Sequence, residues 1–257
     1  MKNNKKFSLF NRNHYKKVAL KEGSSLISTI NDIKVRNLEI EKIISFIDDD
    51  SKILDCGCGN GSVTNLISKK TNSFTVGFDA SKPMITVAKK FEIKNKKVKY
   101  LVKNICNINY KNKFDFAYTI RVIQNLNDGD KLKAIKNIYN CLKDNGIALF
   151  IETTSKSQKN LNRGRSEVGL SKIPVFKWNI LLNETKFKKQ LKQTGFKILK
   201  IDNFLSGYYF WSRIILPLIT KNPKKISSSN YLNEYFIKMP SFGDFGGHKL
   251  FVVKKKL

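Results

Sequence analysis

Ile53-Leu54-Asp55-Cys56-Gly57-Cys58-Gly59-Asn60-Gly61 joins a short apolar run to a cluster of three glycines. Lys52–Asp55 reads as a short strand and Ser62–Lys69 as the helix after it. Gly57, Gly59 and Gly61 fill the turn between them. Glycine lets a turn adopt positive φ and lets a ligand approach the backbone. Asp55 stands at the carboxyl end of the strand, where open α/β sheets bind their ligands.

The same rhythm continues outward. Upstream, Leu38, Ile40, Ile43, Ile44 and Ile47 share a helical face between Val35 and Ile47, and Asp48-Asp49-Asp50-Ser51 breaks it. Downstream, strands are predicted at Ser73–Asp79, Val98–Val102 and Phe114–Thr119, with a helix at Lys82–Phe91. Lys131–Leu142 is helical by its Leu132, Ile135, Ile138 and Leu142 face, and Asn145-Gly146 ends it. Ile147–Glu152 is a continuous apolar run, the mark of a strand buried on both faces. Residues 153–183 read as polar and irregular. A helix at Glu184–Thr194, a strand at Phe196–Phe204, a long aromatic connection over 205–246 and a strand at Lys249–Val253 complete the chain. Alternating strands and helices predict an α/β fold built on a doubly wound parallel sheet.

The glycine turn narrows the ligand. A dinucleotide fingerprint needs G-x-G-x-x-G, and a P-loop needs Gly-Lys-Ser/Thr. This chain has G-x-G-x-G followed by Ser62-Val63. An acidic residue just before the glycines suits a cationic ligand better than a phosphate. The second strand ends in Val76-Gly77-Phe78-Asp79, and a carboxylate there can accept two ribose hydroxyls.

With these residues the sequence resembles the class I S-adenosylmethionine-dependent methyltransferases. Ile53 to Gly61 looks like that family's first motif, and Gly77-Phe78-Asp79-Ala80-Ser81 with Met84 looks like its second-strand motif. The likeness runs from about residue 36 to 153. It implies a Rossmann-like, seven-stranded sheet, mostly parallel with an antiparallel last strand, and helices on both faces. It implies one domain over 1–257: an extension over 1–35, a cofactor-binding core over 36–153, and substrate-side insertions over 154–183 and 205–246. The implied cofactor is S-adenosyl-L-methionine. Gly57 and Gly59 would line its methionyl part, Asp55 would help hold its ammonium, directly or through water, Asp79 would bind its ribose hydroxyls, Ala80 would lie against the adenine, and Cys58 and Met84 are further cofactor-binding candidates. The family usually has Asp before an apolar residue after the third strand. Here Asn104-Ile105 stands there, with an amide oxygen and no charge. Thr119 and Ile120 would border the cofactor opposite the glycines. Tyr15 and Arg36 precede the first strand, where relatives place groups near the cofactor carboxylate.

Methyl transfer from a sulfonium relies on alignment, because the leaving group is already activated. A base is needed only where the acceptor must lose a proton. His248, at the start of the last strand, is the candidate base. Tyr118-Thr119-Ile120-Arg121 lacks the Asn/Asp-Pro-Pro-Tyr/Phe of amino-group enzymes, and no Cys follows a proline as in cytosine-C5 enzymes. The C-x-C spacing of Cys56 and Cys58 is not that of a structural zinc site, so no metal is expected. Long connections over a ligand side are commonly lids. Arg163, Arg165, Tyr208 and Tyr209 are the candidate acceptor residues within them, with Lys177 and Trp178 nearby.

The expected activity is methyl transfer to a small-molecule or lipid- or sugar-linked acceptor. Two alternatives stay open: an RNA methyltransferase, and a non-catalytic cofactor-binding protein on the same fold. The first rests on charge. Lys and Arg total 49 against 20 Asp and Glu, a formal net charge of +29 over 257 residues. Such an excess suits a polyanionic partner, yet the Lys residues are spread along a chain also rich in Asn and Ile, as compositional bias would leave them. A membrane-surface segment at Tyr208–Leu218 beside Lys221, Lys224 and Lys225 is a further reading. No apolar region follows the basic start, and Tyr208–Ile219 contains Arg213 and Pro217 and is too short to span a bilayer. A cytoplasmic protein with reduced cysteines and no transmembrane segment is expected.

Overall fold

Seven strands form one sheet in the order β3-β2-β1-β4-β5-β7-β6. The structure, a computed structural model, describes residues 13–176, 179–220 and 229–256. Lys177, Trp178, Lys221, Lys224 and Lys225 lie outside the described residues. The strands are β1 (Lys52–Cys56), β2 (Phe74–Asp79), β3 (Val98–Val102), β4 (Phe114–Ile120), β5 (Leu142–Thr153), β6 (Phe196–Asp202) and β7 (His248–Lys255). β1 to β5 pair in parallel, and β7 runs antiparallel to both β5 and β6. This is the doubly wound, mostly parallel sheet with an antiparallel last strand that the sequence predicts.

The helices are α1 (13–22), α2 (Ile33–Ile44), α3 (Ser62–Lys70), α4 (Lys82–Lys94), α5 (Asp128–Cys141), α6 (Ser155–Glu167) and α7 (Glu184–Thr194). Side-chain oxygens start several of them. Asp32 accepts from Lys34 N, Ser81 from Met84 N, Asn127 from Asp130 N and Thr154 from Ser157 N. Each satisfies an amide that the first helical turn leaves without a partner.

Alternation along the strands sorts the core into two faces. Leu54, Phe78, Ala117, Phe150 and Phe251 pack with Ile135 and Ile138 of α5 and Phe187 and Leu191 of α7. Ile53, Phe116, Tyr118, Ile151 and Leu250 pack with Val35, Ile40 and Ile43 of α2 and Ile67 of α3. All five parallel strands deliver their carboxyl ends to one edge, and antiparallel β7 begins there: His248 pairs with Thr153.

Several expectations are corrected. The 35–47 helix is Ile33–Ile44, so a core boundary at 36 falls inside α2. Asn145-Gly146 does not end a helix. α5 ends at Cys141, β5 begins at Leu142, and the register jumps from Phe114↔Leu142 to Phe116↔Ile147, so Asn145, at φ 64, and Gly146 sit in a bulge. Residues 153–183 are not wholly irregular, because α6 occupies Ser155–Glu167. The 205–246 connection is also partly helical. α8 (Ser206–Phe210) runs through a π-helical turn (Trp211–Ile215) into α9 (Leu216–Ile219), and α10 (Asn233–Phe236) follows. Among the described residues no helix is long and apolar enough to cross a membrane.

Candidate functional site

The glycine turn is fastened to the second strand. Gly57 N and Cys58 N both donate to Phe78 O, at 2.8 and 3.0 Å. Gly57 sits at φ 90, and a Cβ there would stand 2.4 Å from Val122 Cγ2. Gly59 sits at φ 53, and nothing lies within 4 Å of where its Cβ would be. The two glycines thus answer different needs: close packing at 57, open space at 59.

Asp79 borders that space, and the buried Asp55 lies near Asp79. Asp79 Oδ1 accepts from Ser81 N at 2.8 Å and Oδ2 from Gly59 N at 3.1 Å. Each oxygen keeps a lone pair for another donor. Asp55 is buried, and its partner in the sheet register is Tyr118, so both side chains share a face. Asp55 Oδ2 accepts from Tyr118 Oη at 2.7 Å and Thr64 Oγ1 at 2.6 Å. Burial raises the Asp55 carboxyl to about 6 against the pull of these two hydroxyls.

The other candidates fall variously. Ala80 is exposed, Met84 is buried in α4, and Cys58 is a buried thiol that burial keeps protonated. Ile105 is buried, while exposed Asn104 uses its amide oxygen to accept from Cys106 N at 2.9 Å. Thr119 is fully buried and does not present its hydroxyl to the cleft. It donates to Glu152 Oε1 at 2.8 Å.

Glu152 is a residue that sequence reading passed over. Oε1 also accepts from Val122 N at 3.1 Å and Ile123 N at 3.0 Å, and Oε2 from Gln124 N at 3.1 Å. One buried carboxylate thereby holds the loop after β4, whose Val122 touches Gly57. From the other side, α1 and the following turn close down. Tyr15 Oη accepts from Asn125 Nδ2 at 2.9 Å, and Asn60 Nδ2 donates to Gly23 O and Ser25 O, both at 2.8 Å. Burial, reinforced by Asp79, pushes the Tyr15 phenol up to about 12.

A second group gathers beside the first. Arg36 and Glu39 lie on the buried face of α2, a charge pair inside an apolar stripe that could have flagged them. Glu39 accepts from Arg36 Nη1 at 3.0 Å and Arg121 Nη1 at 2.6 Å, and His248 Nδ1 lies 2.6 Å from Glu39 Oε1, out of line for a hydrogen bond. Burial alone would raise the Glu39 carboxyl, but Arg121, then Arg36 and His248, hold it well below the usual range. Burial lowers the His248 imidazole despite Glu39, which favours its neutral form. Arg36 further donates to Leu26 O at 3.1 Å and Thr29 Oγ1 at 2.9 Å.

The candidate acceptor residues need correction. Arg165 is buried and spent on structure: Nε donates to Ser171 O at 2.7 Å and Nη1 to Arg213 O. Arg163 points outward, with 76% of its side chain exposed and Glu167 at 3.6 Å. Tyr208 is buried and donates to Asp32 Oδ2 at 2.7 Å. Tyr209 remains half-buried beside Gly247.

Residues 53–146 match the family model described as a methyltransferase domain. The chain is 39% identical over 110 residues to the ubiquinone biosynthesis O-methyltransferase of Pelagibacter ubique, covering 42% of this chain and 44% of that one. It is 29% identical over 184 residues to the carboxy-S-adenosyl-L-methionine synthase of Nautilia profundicola, covering 64% and 77%. A solved structure of Haemonchus contortus phosphoethanolamine N-methyltransferase 2 with S-adenosyl-L-methionine superposes with a TM-score of 0.57 at 22% identity, covering 86% of this chain and 52% of that one.

Proposed function

Because the chain belongs to the class I S-adenosylmethionine-dependent methyltransferase family, we propose that it transfers the methyl group of S-adenosylmethionine to an enclosed small-molecule or lipid- or sugar-linked acceptor. The observation that carries this reading is the open space at Gly59, which any side chain would enter, bordered by Asp79 with Asp55 close to it. The residues present fit the cofactor's chemistry. Asp79 has the lone pairs for two hydroxyls on adjacent carbons. Asp55 Oδ1, opposite the oxygen tied to Tyr118 and Thr64, suits an ammonium. Arg36 and Arg121 suit a carboxylate. Asn104, Ile105 and Ala80 suit the adenine. When bound, the cofactor supplies a methyl on a sulfonium, ready for in-line displacement.

The chain's own part is to align and enclose. α6, which follows the carboxyl end of β5, is tied to two described parts of the last connection by Arg165 to Arg213 O and by Ser157 to Asp244. Such an arrangement suits a closed pocket that excludes water. His248, kept neutral, takes the proton of a hydroxyl acceptor, and Glu39 steadies the resulting imidazolium. The relatives' names point to different acceptors, so the acceptor is not carried over from them.

The test supplies methyl-labelled cofactor to fractionated extract, with Asp79→Ala as control. Label in the metabolite or lipid fraction, lost in the variant, is expected. Label in RNA, with affinity falling steeply as salt rises, would favour the RNA reading instead. Failure to bind S-adenosylmethionine in calorimetry would leave a non-catalytic protein.

A further inference from the structure

Of the guanidinium groups near Tyr209, Arg213 is the one left short of acceptors, since Arg36 and Arg121 both bond Glu39 and Arg36 also lies near Asp55. Arg213 has only Asp32, at 3.3 Å, and the same Asp32 oxygen already accepts the Tyr208 hydroxyl at 2.7 Å. Arg213 Nη1 is buried with no hydrogen-bond partner. A buried guanidinium N–H without an acceptor is costly, and an oxyanion relieves that cost with a charge-assisted bond.

The arginine is also held in place. Its carbonyl accepts from Arg165, and its guanidinium lies 5.2 Å from the Tyr209 ring centroid and 5.8 Å from that of Tyr208. It sits within the Trp211–Ile215 π turn, a distortion that recurs at functional sites. The Tyr209 ring packs against Gly247, next to His248 at the ligand edge of the sheet. Among the described residues the Tyr209 hydroxyl has no hydrogen-bond partner, and Arg213 keeps 12% of its side chain exposed.

We propose that Arg213, with the Tyr209 hydroxyl, binds an oxyanionic group of the methyl acceptor, a carboxylate or a phosphate. The inference rests on the methyltransferase reading and names the acceptor's charge class. It replaces Arg163 and Arg165 as the anion-binding arginines.

The test is calorimetric titration of the full chain, saturated with S-adenosylhomocysteine, with inorganic phosphate and separately with acetate. A saturable site for at least one is expected, and the tighter one identifies the group. Arg213→Gln should weaken it at least tenfold, Tyr209→Phe about threefold, and Arg163→Gln not at all. Thermal unfolding of each variant reports its folding. If Arg213→Gln does not fold, Arg213→Lys, which keeps charge but loses the planar fork, takes its place with a weakening of several fold. No saturable site for either anion, or equal affinity in wild type and the Arg213 variant, overturns the proposal. Homocysteine-cofactor affinity measured in the same samples separates the two readings. Loss of that affinity in the wild type defeats the methyltransferase reading, and its retention without an anion site defeats only the role of Arg213.

Discussion

The amide of Gly59 donates to Asp79 Oδ2 at 3.1 Å, so the turn after β1 and the tip of β2 are joined beside the space a cofactor would take. Gly57, two residues earlier, instead packs its bare Cα against Val122. Alanine at the two positions should therefore fail in different ways. Gly59→Ala meets open space and a φ that costs about 1 kcal/mol for alanine, so it should fold and melt only a few degrees lower. Its methyl would enter the space proposed for the cofactor, and S-adenosylmethionine affinity should fall at least tenfold. Gly57→Ala collides with Val122 and should lose about 2 kcal/mol or more before binding is considered. Thermal unfolding and calorimetry on both variants check the contrast. Normal binding by Gly59→Ala would place the cofactor elsewhere.

Asp55 couples binding to pH with two opposing signs. Its carboxyl is raised by burial to about 6. Between about pH 4 and 6 the folded chain keeps a proton that the unfolded chain has released. Stability without ligand should thus decline as pH rises through that window and level off above it. Cofactor affinity should do the reverse, because an ammonium needs the ionised carboxylate. Asp55→Asn can keep an oxygen facing Thr64 and Tyr118. It should be as stable as wild type at pH 7 or firmer by up to about 3 kcal/mol, and bind the cofactor about tenfold more weakly. Affinity that does not change from pH 5 to 8 would remove Asp55 from the ammonium site.

How far the sequence carries the reading depends on distance along the chain. β1, the glycine turn and β2 were readable because their signals are local: an apolar run, three glycines, and an acidic residue at each strand end. α6 was missed because its buried positions are few and one is an arginine; Ser157, Leu161 and Arg165 face inward. Asn145-Gly146 misleads because the same dipeptide that stops a helix also fits a bulge. The Glu39 group joins residues 39, 121 and 248, which only the sheet order brings together. Glu152 closes an apolar run and reads as the strand's end, although its carboxylate holds a loop about thirty residues upstream. Arg165 was legible as a cation but not as a buried one.

That carboxylate gives the third prediction. Glu152→Ala leaves three backbone amides and the Thr119 hydroxyl without their acceptor in a buried site. At about 1–3 kcal/mol for each such group, partly relieved by water, a loss of about 3 kcal/mol or more is expected. For a chain of this size that is a fall of about 6–12 °C in Tm. Glu152→Gln keeps one accepting oxygen and should fall less. Cofactor affinity should drop in both, since Val122 braces Gly57. An unchanged melting temperature in Glu152→Ala would mean that the loop holds itself.

His248 gives the last prediction. The unfolded chain takes up a proton near pH 6.5 that the buried imidazole resists, so His248 should cost stability as pH falls below that value. His248→Ala should flatten that part of the stability profile. As a base, it must be neutral to act. Turnover on the labelled acceptor should rise with pH and reach its plateau below the ordinary imidazole range. A positioned base contributes about 10²–10⁴-fold, so His248→Ala should lose that much in kcat while S-adenosylmethionine affinity holds. Glu39→Gln is a poorer probe, because it strands Arg36 and Arg121 in a buried site at about 3–5 kcal/mol. A stability profile that flattens without any loss of turnover would make His248 a buried structural residue and would point to an acceptor atom that needs no base.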